Sequence, residues 1–121
     1  MIERLRRLPG FDRLDDAALA VILARATVRR FAPGQLVLPA GGSADMLLAR
    51  IGGALVGVSG KAAPPVFDAP GLLFGLAMEE DYLAGSEGLE AIAIAKPHVF
   101  TIAREFPEFI VSLMDDAGTA A

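Results

Sequence analysis

The residues that could bind an ion are concentrated between positions 69 and 96 of this 121-residue chain. The segment opens with a glycine-bracketed apolar turn, from Gly71 to Gly75, and is predicted to enter a short helix. Backbone N–H groups in such an arrangement can bind a phosphate. The acids Glu79-Glu80-Asp81 follow, and no Lys or Arg occurs from Ala62 to Ala95. Because oxyanions bind best to cationic donors, the segment has the frame of an anion site without its charge.

Residue types needed for catalysis are scarce elsewhere in the chain. There is no Cys, and the single His, His98, lies in the turn-forming sequence Lys-Pro-His and is expected in an exposed loop. A His-rich metal centre and cysteine catalysis are therefore excluded. None of the Ser residues has a nucleophile-elbow sequence, and three consecutive acids do not provide the alternating ligands of a calcium loop. We expect no catalytic residue, no metal and no cofactor, and hence no enzyme.

Helices are predicted near the start and at the end of the chain. In the first, FDRLDDAALAVILARA, Leu19, Ile22 and Leu23 recur at helical spacing, and Asp15 or Asp16 can cap the N-terminus. The second has Pro in its first turn, which is a favoured position for proline. Its apolar residues are spaced to form one stripe: Phe106, Phe109, Ile110, Leu113 and Met114.

Between the helices the chain consists of short extended runs broken by turn residues. The predicted strands are TVRRF, LVLP, MLLARI, ALVGVS, PVFDA, EAIAIA and VFTI. Gly52-Gly53 is predicted as a turn between the third and fourth strands, and Lys96-Pro97-His98 as a turn before the last. The pattern indicates a mainly β fold, a jelly-roll β-barrel with flanking helices. We predict one domain, residues 1–121, with a helical lead-in at 1–26, a barrel at 27–102 and a C-terminal helix at 103–116.

The net charge of −4 combines two halves of opposite sign. Residues 1–61 carry nine Arg or Lys against five acids, whereas residues 62–121 carry two basic residues against ten acids. The halves can be solvated faces of one domain, or can complement each other within the fold or between subunits. No apolar run approaches the roughly 18 residues that span a bilayer, and no signal-peptide core follows the basic N-terminus. We expect a cytoplasmic protein with no membrane partner.

The order of several motifs resembles the cyclic nucleotide-binding domain family. FAPGQLVL is similar to the first hairpin of that family, with Pro33 and Gly34 in the turn. GGSADMLLARIGGALVGV is similar to its Gly-x-x-x-Asp segment, here Gly41 to Asp45, and the strands that follow. PGLLFG resembles the entrance of its phosphate-binding cassette. The resemblance covers nearly the whole chain and implies a helical lead-in followed by a jelly-roll barrel.

The same resemblance implies a cassette that has lost its ligand contacts. The family binds a cyclic nucleotide through amide N–H groups, an Arg on the phosphate and a Glu on the ribose. Leu76 stands in the position of that Glu, and Gly88, Leu89 and Glu90 stand where the Arg is expected. Each lost charge-assisted contact costs about 2–3 kcal/mol, so binding of cAMP or cGMP is disfavoured. The remaining degenerate pocket would be lined by Phe74, Gly75, Leu76, Ala77, Met78, Tyr82, Leu89 and Glu90.

Arg50 is the candidate for a compensating cation. It stands in MLLARI, where the family has an apolar residue. One explanation is a one-residue difference in register that puts Ile51 inside and Arg50 in solvent. The other is an arginine in the barrel mouth that pairs with one of the cassette acids.

We interpret the chain as a stand-alone, degenerate cyclic nucleotide-binding-like domain that serves as a regulatory or protein-interaction module. The alternative is a small-molecule or nucleotide sensor of altered specificity that uses the same, more apolar pocket. Nucleic acid is not expected as a partner, because the pI is near 4.9 and no DNA-binding helices follow the barrel. A protein partner or a homodimer is expected, buried through apolar contacts near the terminal helices.

Overall fold

An antiparallel sheet flanked by helices makes up the fold, in a computed structural model that describes residues 1–67 and 69–120. The predicted mainly β fold with flanking helices is confirmed. Asp68 and Ala121 lie outside the described residues. In chain order the elements are α1 (Ile2–Arg6), α2 (Asp16–Ala24), β1 (Ala26–Phe31), β2 (Leu36–Leu38), β3 (Met46–Gly57), β4 (Val66–Phe67), α3 (Ala69–Phe74), β5 (Tyr82–Ala95), α4 (Lys96–Glu105) and α5 (Pro107–Ala120).

The long strand β5 is the centre of the sheet. Its residues 89–94 pair with β1 on one side and with β3 on the other, and the strand order is β1-β5-β3-β4. Its residues 82 and 83 pair with β2 and, on the other side, with the far end of β3. The sequence predicts only EAIAIA as a strand here, because glycines and Ser86 resemble a loop. The strand in fact begins at Tyr82, well before that run.

The predicted turn at Gly52-Gly53 is wrong. β3 runs continuously through both glycines, and its register against β5 shifts on either side of them, as in a β-bulge. Gly53 has a φ of 72°, and a Cβ atom there would overlap the carbonyl oxygen of Gly88 on β5. The glycine pair therefore allows two backbones to approach closely rather than reversing the chain.

The predicted strand VFTI and the turn before it are also wrong, because residues 96–105 form α4. Pro97 lies in the first turn of this helix, where a missing N–H costs nothing, and Val99 and Ile102 are buried at a spacing of three. The sheet therefore ends at Ala95, not at the predicted barrel limit of 102. His98 is exposed as expected, but on a helix rather than in a loop.

The helical lead-in and α5 pack together, and the sequence patterns predict α2 and α5. The predicted C-terminal helix at 103–116 is divided at Phe106, where α4 ends and α5 begins. The side chain of Asp15 accepts a hydrogen bond from the N–H of Ala18 at 2.9 Å, which confirms the predicted cap of α2. Phe11 and Phe109 are fully buried with ring centres 5.4 Å apart, and Leu113 is buried beside them in the core. Burial of each such side chain contributes about 1.5–3 kcal/mol. No helix within the described residues is long and apolar enough to cross a membrane.

The basic and acidic halves of the sequence contact each other within the fold. Arg25 lies 3.6 Å from Glu105, and Arg30 and Arg4 lie 2.8 and 3.7 Å from Glu90. Each pair joins the basic half of the sequence to the acidic half. Some charges of the basic half are therefore paired with charges of the acidic half within one molecule.

Candidate functional site: an acidic cassette and two groups of arginines

The segment that resembles a phosphate-binding cassette, residues 69–81, begins as a helix and continues as an irregular loop. The helix α3 ends at Phe74, so it coincides with the apolar turn instead of following it. Gly75 then has a φ of 67°, a conformation that glycine adopts without strain. Phe74 and Leu76 are 66% and 55% exposed, and Gly75 and Ala77 are also exposed. These four predicted pocket residues therefore form a surface tip.

Two backbone amides of the cassette already have partners in the protein. The N–H of Leu76 donates to the carbonyl of Gly71 at 3.0 Å, and the N–H of Met78 donates to the carbonyl of Gly42 at 2.8 Å. The carbonyl of Met78 in turn accepts from Gly41 at 2.9 Å. The side chain of Met78 is buried. These two N–H groups are therefore not free to bind a phosphate.

The side chain of Glu80 binds the turn that follows β3. Ser59 donates its backbone N–H at 3.0 Å and its hydroxyl at 2.9 Å to Glu80 Oε1. Gly57 leaves room for this carboxylate, because a Cβ atom there would overlap Oε1. The backbone and then the side-chain hydrogen bond from Ser59, together with the charge of Lys61, hold the pKa of Glu80 below its ordinary value against a smaller effect of desolvation.

Asp81 makes a second attachment, to the loop that follows β2. Its Oδ1 accepts a hydrogen bond from the N–H of Ala40 at 2.7 Å, and its carbonyl accepts from the N–H of Val58 at 3.0 Å. Glu80 and Asp81 thus hold the cassette against two neighbouring loops. Their carboxylates bind protein N–H and O–H groups, which is a structural use of charge rather than a cation site.

The predicted pocket is not one site, because Leu89 and Glu90 lie inside β5. They line a cleft of about 350 Å³ whose walls include none of the cassette residues. The whole lining is Arg4, Arg30, Phe31, Gly52, Gly53, Glu87, Leu89 and Glu90. The family resemblance implied that Leu89 and Glu90 belong to the cassette, because the sequence predicts a strand only from EAIAIA onward. The residues that directly precede the observed start of β5 are Glu79, Glu80 and Asp81. These three residues before β5 are all acids.

Tyr82 begins β5 and is packed rather than open to a ligand. Its ring centre lies 4.6 Å from that of Phe67 on β4, with the planes tilted by 52°. Tyr82 is half-buried and Phe67 is buried. The pair joins the start of the central strand to the edge of the sheet.

Glu90 joins the N-terminal helix to the sheet. Its Oε2 accepts a hydrogen bond from Arg30 Nε at 2.8 Å, and Arg4 of α1 approaches Oε1 at 3.7 Å. Arg4 also donates to the carbonyl of Ile51 at the bulge, at 2.8 Å. The hydrogen bond from Arg30, and less strongly the charges of Arg30 and Arg4, lower the pKa of Glu90 despite an opposing desolvation effect. The sequence did not predict this group, because Arg30 and Glu90 meet through strand register and Arg4 reaches them from the packing of α1 on the sheet.

Arg50 lies on the sheet face that also carries buried Leu48 and Leu89. It is half-buried and is the Cα partner of Ala91, and the register of β3 against β5 shifts directly after it. Ile51 is the extra residue at the bulge. Arg50 forms no ion pair with a cassette acid within the part of the chain that the structure describes. The role of Arg50 as a compensating cation therefore stays a prediction.

Comparisons with known proteins identify the fold through structure alone. No protein-family model matches the sequence, and no similar sequence was found among curated proteins. Among solved structures, one similar protein is from Geobacter metallireducens and is named for cyclic nucleotide binding. It has 20% identity and a TM-score of 0.77, over 98% of this chain and 92% of that one.

Two longer proteins contain the same fold. The catabolite activator protein of Thermus thermophilus has 16% identity and a TM-score of 0.76 over 93% of this chain. The regulatory domain of Toxoplasma gondii PKA, crystallised with cAMP, has 16% identity and a TM-score of 0.70 over 84% of this chain. The present chain spans 57% and 42% of their respective lengths. The similarities establish a shared fold.

Proposed function

We propose that this chain, which has the jelly-roll fold of the cyclic nucleotide-binding domains, is a regulatory module whose cassette does not bind a cyclic nucleotide. The observation that carries the proposal is the use of the cassette's polar groups within the protein. The amides of Leu76 and Met78 and the carboxylates of Glu80 and Asp81 all have protein partners. A ligand phosphate would have to displace these bonds before it gained any of its own.

Charge supports the same proposal. The residues before β5 are Glu79, Glu80 and Asp81, and the chain has no cation from Ala62 to Ala95. Loss of a charge-assisted contact costs about 1.5–3 kcal/mol, which weakens binding roughly ten- to a hundredfold. Leu76 adds a second loss, because an apolar side chain cannot accept a hydrogen bond from a ribose hydroxyl. Repulsion between the acids and a phosphate opposes binding further.

The module acts by contact with another protein, in a cytoplasmic setting and without enzymatic chemistry. The exposed tip of the cassette, Phe74 and Leu76, and the exposed Val111 on α5 are apolar surface that a partner would bury. The solved structures of the same fold include the regulatory domain of Toxoplasma gondii PKA and the N-terminal domain of a transcriptional regulator from Streptomyces coelicolor. Because these domains belong to regulatory proteins, the shared fold supports a regulatory role for this chain.

Thermal unfolding tests the proposal with cAMP, cGMP and cyclic dinucleotides. A ligand that binds only the folded state raises the melting temperature, since it stabilises that state by RT ln(1 + [L]/Kd). We expect no rise at ligand concentrations up to about 1 mM, which is a weak limit for a specific ligand. A saturable rise with a cyclic nucleotide would overturn the proposal and favour the sensor alternative.

A further inference from the structure

The cleft of about 350 Å³ is formed where α1 meets the sheet beside the bulge of β3. Arg30 on β1 and Gly52 on β3 are both Cα partners of Glu90 on β5. Directly paired residues project to the same face of a sheet, so this row has two charged side chains and, at Gly52, none. Arg4 of α1 comes to the same place, since it contacts Glu90 and the carbonyl of Ile51.

The two arginines of the cleft keep N–H groups that no described acceptor uses. Arg30 donates from Nε to Glu90 at 2.8 Å, which leaves its two Nη groups. Arg4 donates from Nη2 to the carbonyl of Ile51, and its Nη1 lies 3.7 Å from Glu90, beyond hydrogen-bond distance. A guanidinium carries five N–H donors and binds carboxylates well. The side chains of Arg30 and Arg4 are 77% and 51% exposed, so a carboxylate from solvent can reach them.

Glu87 adds a negative charge to the same cleft. Its side chain is exposed and has no ion pair or hydrogen bond within residues 1–67 and 69–120. Glu90, by contrast, is bound by Arg30 and neutralises one of the two arginines. The cleft therefore offers unused cationic donors and one unused carboxylate. The donors attract a carboxylate group, and Glu87 attracts an ammonium group and repels a second anion.

The cleft stays open because position 52 has no side chain. Unlike Gly53, Gly52 has no positive φ, and a Cβ atom there would lie 3.8 Å from the Cβ of Glu90, which is an ordinary contact. The backbone therefore does not require glycine at this position. A larger side chain would project beside Glu90 and fill the space. The volume is at the lower end of the range for small-molecule sites, so a compact ligand fits.

We propose that this cleft binds a free α-amino acid. The ligand carboxylate accepts hydrogen bonds from Arg30 and Arg4, and the ligand ammonium group pairs with Glu87. A zwitterion satisfies both kinds of unused group, whereas a ligand of one charge leaves the other kind without a partner. The site contains no residue of the cassette at 69–81. It goes beyond the proposed function, because a cassette that fails to bind cyclic nucleotides leaves this cleft unaffected.

Calorimetry of the whole chain with L-alanine, L-leucine and L-glutamine, in a low-salt buffer at pH 7, tests the proposal. We expect saturable binding of at least one of the three. The N-acetyl derivative of that amino acid lacks the ammonium group and its amide derivative lacks the carboxylate. Each derivative should bind at least about tenfold more weakly, the effect of one charge-assisted contact. No saturable binding of any of the three amino acids, or equal binding of either derivative, would overturn the proposal.

Two charge variants test the assigned contacts. Arg30→Gln and Glu87→Gln should each weaken binding about tenfold. Arg104→Gln and Glu79→Gln are the matched controls, because both residues are exposed and have no described ion pair, and they should leave binding unchanged. Glu87→Gln should unfold at the same temperature as the unaltered chain, since no described contact is lost, so its effect reports on the ligand. Unchanged binding by Glu87→Gln would overturn the proposal.

A third variant tests the space itself. Gly52→Leu fills the cleft without removing a charge, and we expect it to abolish binding of the amino acid. Thermal unfolding without ligand should show one cooperative transition, because the backbone at position 52 accepts a Cβ atom. Amino-acid binding that persists in folded Gly52→Leu would place the ligand elsewhere and contradict the proposal.

Discussion

Glu80 accepts two hydrogen bonds from a single residue, Ser59, through its backbone N–H at 3.0 Å and its hydroxyl at 2.9 Å. The contact joins the cassette to the turn after β3, and Gly57 provides the space for it. The carboxylate of Glu80 thus fixes the cassette against this turn by charge-assisted hydrogen bonds.

The contact predicts a dependence of stability on pH. Because the pKa of Glu80 is lowered by folding, its ionised form stabilises the protein above the ordinary value of 4.5. That contribution is lost as pH falls through the lower pKa of the folded state. We expect Glu80→Gln to reduce the free energy of unfolding at pH 7, with a difference from the unaltered chain that shrinks below pH 4.5.

Urea unfolding between pH 3 and pH 7 measures this difference. Glu79→Gln is the control, because Glu79 is exposed and has no hydrogen-bonded partner among the described residues. Ser59→Ala removes only the hydroxyl bond and keeps the backbone N–H bond, so it should show a smaller loss of stability with the same direction of pH dependence. The double variant should add little to Glu80→Gln alone. An equal effect of Glu80→Gln at pH 3 and pH 7 would contradict the account.

The bulge predicts unequal effects of two glycine substitutions. Gly53 and Gly34 have similar φ angles, 72° and 75°, but only Gly53 faces a neighbouring backbone. Gly34→Ala should cost about 1–2 kcal/mol, the strain of a left-handed alanine. Gly53→Ala should cost at least about 2 kcal/mol more, because the carbonyl of Gly88 cannot move aside without breaking the sheet. Chemical denaturation measures both, and equal costs would show that β3 and β5 do not approach closely at Gly53.

Substitutions that restore cyclic nucleotide binding should be placed just before the observed start of β5, not before the predicted one. Leu76→Glu provides an acceptor for a ribose hydroxyl. Glu79→Arg adds a cation before β5 without removing Glu80 or Asp81, which bind the neighbouring loops. We expect this double variant to gain weak, saturable cAMP binding in calorimetry. The matched variant Leu76→Glu/Leu89→Arg should gain none and should be less stable, because Leu89 is 5% exposed inside the sheet. If only Leu76→Glu/Leu89→Arg bound cAMP, the cassette would extend to Leu89, as the sequence predicts.

Association of two chains is predicted to involve α5. Val111 is 58% exposed on that helix, and its burial against a second copy would remove apolar surface from water. Light scattering should give twice the chain mass of 12.6 kDa at micromolar concentration, and high salt should not lower it, because screening weakens only charged contacts. Val111→Asp should give a monomer. Val58→Asp, at a 62% exposed site in the turn after β3, should not. A single-chain mass at every concentration would exclude the homodimer and leave another protein as the partner.

Much of the fold is predictable because local signals are strong. The cap at Asp15 and the apolar stripe of α5 each depend on residues a few positions apart. By contrast, α4 is missed because Pro97 and the β-branched residues after it are typical of a turn and a strand. Only packing on the sheet shows that proline starts a helix here and that Val99 and Ile102 form its buried face.

The site is less predictable, because its geometry depends on register. Gly85 and Gly88 resemble loop residues in the sequence, which hides the first half of β5 and shifts the predicted cassette boundary to Leu89. Arg29, Ala91 and Arg50 lie far apart in the sequence but are register partners on three adjacent strands, and a slip of one residue would move them to opposite faces. Residue types alone do not determine such a row.

Calorimetric titration of the purified chain with cAMP tests the central claim most directly. The cassette has acids before β5, its amides at Leu76 and Met78 are bonded within the protein, and Leu76 cannot bind a ribose hydroxyl. We expect no saturable heat and a Kd weaker than about 1 mM, with Leu76→Glu/Glu79→Arg as the variant that gains binding. A Kd in the low micromolar range for the unaltered chain would contradict the account.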